Sequence, residues 1–161
     1  MDTNFYFSAK GRVSRKDFWL KWVVPVIILY VVIAVIFFGL MSAIGEAAGI
    51  LGLVLIPVYI AIVWAGVCVS AKRFHDRNMS GWWVLYFFLI GVGLYAVQMA
   101  VMAAFGAEGF GAILVMLLGL ASLVVSIVQL VILGFLPGTP GLNQYGPDPR
   151  DPAGGTADTF S

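Results

Sequence analysis

Charge is scarce in this sequence, and it is absent in long blocks. Asp, Glu, Lys and Arg make up 11% of the 161 residues, against about 25% in an ordinary soluble domain. Hydrophobic residues make up 61%, and the mean hydropathy is +1.01. So few polar groups cannot cover a soluble globule of this size, which excludes a soluble helical bundle. The single cysteine, Cys68, excludes an intramolecular disulfide and a cysteine-cluster metal site. It lies in an apolar run and reads as a small buried residue. There is one histidine, and there is no serine elbow, zinc pattern or phosphate loop. No metal and no cofactor is therefore expected. A net charge of +1 creates no global field to recruit nucleic acid.

What the sequence does have is apolar length. About 20 mostly apolar residues cross the hydrocarbon core as a helix. Four segments qualify, at about residues 22–41, 50–71, 82–105 and 110–136, and none contains Asp, Glu, Lys, Arg or His. The alternation of a membrane barrel is absent, and a single span must satisfy its own backbone hydrogen bonds. The expected fold class is all-α, an integral membrane four-helix bundle. The first apolar run is longer than the core of a secretory signal, and no clean cleavage site follows it, so it is expected to remain as a helix. One membrane domain over residues 1–149 and a flexible tail over 150–161 complete the expected organisation.

The basic residues orient the spans. Lys10, Arg12, Arg15, Lys16 and Lys21 precede the first. Lys72, Arg73 and Arg77 lie between the second and third, and Arg150 follows the fourth. The connections around Glu46 and Glu108 hold no Lys or Arg. Both termini and the middle loop are thus expected on the cytoplasmic side of a bacterial inner membrane.

That rule accounts for Lys72, Arg73 and Arg77 in "AKRFHDRNMSGWW", residues 71–83, as topology anchors. It does not require His75 or Asp76. Trp82 and Trp83 fit an aromatic belt at the membrane interface, as do Trp19 and Trp22. In "GRVSRKDFWLKW", Ser14 and Asp17 have the spacing of a capping box, Asp17 reaching back to the Ser14 amide. This stretch is an interfacial lead-in to the first span or, on a sharper reading, a basic site for an anionic lipid headgroup. In "LPGTPGLNQYGPDPRDP", Pro and Gly end the last helix and impose turns. Leu142, Asn143 and Tyr145 sit between those turns, so residues 137–149 are expected to fold back as an ordered segment on the cytoplasmic side.

Together "GRVSRKDFW", "AKRFHDRNMSGWW" and "PGTPGLNQYGPDP" resemble the bacterial inner-membrane family called domain of unknown function 805. The resemblance covers roughly residues 5–149. It rests on Gly11, Arg12, Arg15, Phe18 and Trp19, then Arg73, His75, Asp76, Gly81 and Trp82, then Gly138, Asn143, Tyr145, Gly146 and Pro147. It implies a four-span inner-membrane protein and implies no activity.

Within the spans, Gly119, Ser122, Ser126 and Gln129 share one helical face, and Tyr95, Gln98 and Met102 share another. A helix–helix packing seam and a polar-lined solute path both fit. Pro57 is expected to kink the second span. Ionisable groups at membrane depth, which proton and ion pathways usually need, are lacking.

A catalytic His75 would need an orienting carboxylate, and Asp76 is badly placed for that because adjacent helical residues point about 100° apart. Asp17 or Asp148 would serve better. The simpler expectation is a polar knot in which Asp76 pairs with Arg73 or Arg12 and His75 bridges to the C-terminal turn. The candidate cluster, for binding or for structure, is Arg12, Arg15, Arg73, His75, Asp76, Arg77, Asn143 and Tyr145. The leading functional expectation is a non-enzymatic interaction or envelope-accessory factor in contact with membrane lipids, with self-association or a protein partner open. A small transporter or channel subunit and a lipid-interacting enzyme are the alternatives.

Overall fold

The computed structural model describes residues 3–45, 49–106 and 108–151. The regular elements among the described residues are all helices, with an isolated bridge between Asn143 and Gly146. A short helix, α1 (Thr3–Phe7), precedes α2 (Arg15–Ile44). Then come α3 (Gly49–Val54), α4 (Ile56–Asp76), α5 (Trp83–Phe105) and α6 (Gly109–Phe135). Helices α2, α4, α5 and α6 are long and apolar enough to cross a membrane. The residues following Asp151 and those around Glu46 lie outside the described part, so the tail expected over 150–161 is described only at Arg150 and Asp151.

Pro57 acts differently from the expected mid-span kink. The second span is interrupted at Leu55, and Pro57 sits in the first turn of α4. A first-turn N–H has no intrahelical acceptor, so proline costs little there. The other end of α4 also differs. The apolar run stops near Ala71, but the helix continues through Lys72, Arg73 and His75 to Asp76. The expected charged loop is therefore a last helical turn. Asn78, with φ at 58°, reverses the chain just beyond it.

Burial is concentrated at one end of the spans. Val13, Phe18, Val69, Phe74 and Leu133 form the buried core there. No residue of Val24–Ile44 is buried, and none of α5 is. The spans therefore do not share a core along their length, as a closed four-helix bundle would. They are held together at their polar end, and α5 and α6 form a hairpin beyond it. Apolar side chains facing lipid cost nothing, so spans need not pack closely to be stable.

Candidate functional site

The polar end is built around Asp76, whose side chain is 2% exposed. Arg12 donates from Nε and Nη2 to its Oδ1, at 3.1 and 3.0 Å. Arg73 donates from Nη1 to its Oδ2 at 2.8 Å. Both guanidiniums are withdrawn from water, with side chains 1% and 0% exposed. Two buried cations on one carboxylate leave an excess positive charge, and carbonyl oxygens meet it. Arg12 reaches Gly141 O at 2.6 Å, Gly146 O at 3.2 Å and Thr139 O. Arg73 reaches Leu133 O at 2.7 Å, Val13 O at 3.1 Å and Leu136 O at 3.1 Å. No fully buried side-chain polar atom is left without a partner among the described residues.

Helix ends explain why those carbonyls are available. The last turn of a helix leaves carbonyls without intrahelical donors, and positive side chains are favoured there. At the end of α6, Leu133 and Leu136 are taken by Arg73. Gly134 O accepts from Trp19 Nε1 at 2.9 Å, and Phe135 O accepts from Arg15 Nη1 at 2.9 Å. Those four carbonyls are consecutive and all capped by side chains from other segments. The winding there, over Val131–Phe135, is that of a π-helix, as it is over Phe18–Val23, which carries Trp19. At the end of α4, Asp76 O accepts from the Thr139 amide at 2.8 Å and His75 O from Asn143 Nδ2 at 2.9 Å. The C-terminal segment is thus the cap of α4.

His75 joins the same layer in another way. Its ring stacks on Tyr145 with centroids 3.8 Å apart and planes 6° apart. Its Nδ1 lies 3.2 Å from Gly11 O. A carbonyl can only accept, so Nδ1 carries a proton, and in the neutral ring Nε2 is left as an acceptor. Neither Asp17 nor Asp148 orients this ring. Asp17 instead accepts from Ser14 Oγ at 2.9 Å and pairs with Lys21 at 2.8 Å. The Ser14 hydroxyl in turn accepts from the Asp17 amide at 3.1 Å, so the cap joins the two side chains where the expected box would use the Ser14 amide. Asp148 takes Arg150 on both oxygens, at 2.8 and 2.6 Å, and these bonds hold its carboxyl well below the usual carboxylate range.

Of the candidate residues, Arg12, Arg73, His75, Asp76, Asn143 and Tyr145 meet directly, and Arg15 joins through Phe135 O. Arg77 ends α4, half-buried, with its amide on Phe74 O. Several participants lie outside the candidate cluster. Lys72, expected as a topology anchor in the middle loop, is 3% exposed and donates to the carbonyls of Asn4, at 3.0 Å, and Phe5. Trp19 and Trp22, expected in the interfacial belt, pack between helices. A β-carbon on Gly134 would fall 2.9 Å from the Trp19 ring, and one on Gly66 3.1 Å from the Trp22 ring. Trp82, at 70% exposed, stays outside as a belt residue would.

The stripe on α6 does not draw two backbones together. A β-carbon on Gly119 would meet nothing within 4 Å. Ser122 and Ser126 donate to carbonyls four residues back in their own helix, at 3.0 and 2.9 Å. With Tyr95, Gln98 and Gln129 they line a cavity of about 300 Å³ between α5 and α6.

These features define a multi-pass helical membrane protein whose spans are tied at one end by a buried ion cluster. The chain belongs to the family described as protein of unknown function (DUF805), whose model matches residues 6–147. It is 26% identical over 148 residues to the uncharacterized protein YiiR of Escherichia coli K12, covering 90% of this chain and 88% of that one. It is 25% identical over 151 residues to the inner membrane protein YhaH of the same strain, covering 90% and 89%. That name and the four apolar helices support a multi-pass inner-membrane protein. No solved structure matches the chain.

Proposed function

We propose that this protein is a non-enzymatic interaction or envelope-accessory factor of the inner membrane, with both termini and the α4–α5 connection in the cytoplasm. The single observation carrying the reading is the saturation of the Asp76 cluster. Its two arginines are fully engaged by one carboxylate and by carbonyls. They are spoken for as structure, and Asp76 has no free oxygen with which to orient His75 as a base. What such a cluster does well is hold helix ends at fixed positions while leaving the spans separately exposed to the bilayer. Segregation of all nine Lys and Arg from the two other connections supports the orientation.

The face of α2 around Val35 and Phe38, 68% and 70% exposed, is one of several apolar faces open to a partner helix. A photoreactive residue at Val35, in membranes of the native host, should give one discrete protein adduct. Liposomes carrying the pure protein should show no solute flux. Flux together with lipid-only adducts would replace this reading with the transporter alternative.

A further inference from the structure

A cavity of about 850 Å³ opens between α4 and α5. Along α4 it runs from Val63 to His75. Twelve residues of helix rise about 18 Å, close to one leaflet, which is about 15 Å of a 30 Å hydrocarbon core. Its volume is in the range of ligand-binding sites, about 300–1,000 Å³.

The two ends of this groove differ. At the far end the lining is aliphatic, with Val63 and Val67. At the knot end it meets His75, Tyr145 and Ser80. None of its lining residues is charged. Gly81 also lines it, and a β-carbon there would come 3.0 Å from His75 Nε2. The missing side chain keeps the approach to that nitrogen open. In the neutral ring Nε2 is an acceptor, because Nδ1 donates to Gly11 O.

We propose that this groove binds a membrane lipid of the diacylglycerol class. One acyl chain lies along α4, and the uncharged head hydroxyl donates to His75 Nε2. The leaflet-length channel, mostly apolar with Ser70 and Gln129 as further polar lining, selects a chain. The uncharged polar end, with an acceptor at its floor, selects a neutral hydroxyl over a phosphate. Of the cations that would have favoured an anionic head, Arg12, Arg15 and Arg73 are engaged elsewhere and Arg77 does not line the groove. The inference goes beyond the interaction-factor reading and depends only on the membrane placement.

The test places the full chain in phosphatidylcholine nanodiscs with a diacylglycerol analogue carrying a photoreactive group on its acyl chain. Adducts should concentrate on the stretches of α4 and α5 that line the groove. Unlabelled diacylglycerol should compete, and phosphatidylglycerol at the same mole fraction should not. Val67→Trp fills the wall without touching the ion cluster and should abolish the focused adducts at an unchanged melting temperature. His75→Phe keeps a ring against Tyr145 but removes the acceptor. It should weaken competition by diacylglycerol about three- to tenfold, as expected for one lost hydrogen bond, and leave that by its O-methyl ether unchanged. Adducts spread evenly over all four spans, or equal competition by phosphatidylglycerol, would overturn the proposal. Those results would leave the α2 partner adduct untouched, so the two ideas fail separately.

Discussion

Gly138 lies so close to Asp76 that a β-carbon on it would overlap the carboxylate. The contact shows how the C-terminal segment reaches its place. Prolines at 137 and 140 turn the chain at the end of α6. A residue without a side chain then lets the backbone slide under Asp76, and Thr139 caps the carbonyl of the same residue.

Gly138→Ala is expected to destabilise the protein by about 1–3 kcal/mol, the usual cost of overpacking a tight site. Asp76 cannot retreat, because Arg12 and Arg73 hold it from both sides. Thermal unfolding in detergent measures the effect. Gly119→Ala, where nothing lies within 4 Å, is the control that should leave the melting point unchanged.

Asp76→Ala removes the carboxylate between two buried guanidiniums. Breaking a buried pair from one side costs about 3–5 kcal/mol. Glu108→Ala, in an exposed connection, should stay within about 0.5 kcal/mol. Equal melting points for the two variants would show that the carbonyls alone suffice to hold Arg12 and Arg73.

Acid should loosen the C-terminal segment through Asp148. Hydrogen bonds from Arg150 hold its carboxyl below the ordinary value of 3.8. In the unfolded chain Asp148 takes up its proton near 3.8, and in the folded chain only at lower pH. Its stabilising contribution is therefore complete above 3.8 and is lost as pH falls toward the folded value. Pepsin cleavage within residues 137–150, followed as pH is lowered, should begin at higher pH in Arg150→Ala. An onset common to both proteins would dissociate the pair from the fold of the segment.

Ser126→Leu tests the α5–α6 cavity. A tightly packed seam would reject the added volume, whereas an open space of about 300 Å³ should admit it. The expected result is an unchanged yield of folded protein. A sharp fall in yield would mean that α5 and α6 close further in the bilayer.

Orientation can be read by cysteine labelling. In a Cys68→Ser background, a cysteine at Glu108 should react with a membrane-impermeant reagent from the periplasm, and one at Asn78 should not. Periplasmic reaction at Asn78 would invert the protein and its polar end.

The number of spans was legible in the sequence because membrane partitioning is set by local apolar length, which composition reports directly. So was the shared side of the three polar signatures, since four crossings with basic residues at alternate connections leave one arrangement. Hydropathy failed at Lys72–Asp76. It measures the preference for water, and this turn is helical yet dry, its charges neutralised by Arg12 and by carbonyls from α1, α6 and the C-terminal segment. Asp76's partners lie 3 and 64 residues away, and the second distance has no signature in any local pattern. The pairing of Trp19 with Gly134, 115 residues apart, is more remote still. Local patterns determined which segments enter the bilayer. Which helix end caps which, and which partners Arg12 and Arg73 take, were decided only when distant carbonyls and one carboxylate converged, because a buried charge takes whatever partners the fold brings within about 3 Å.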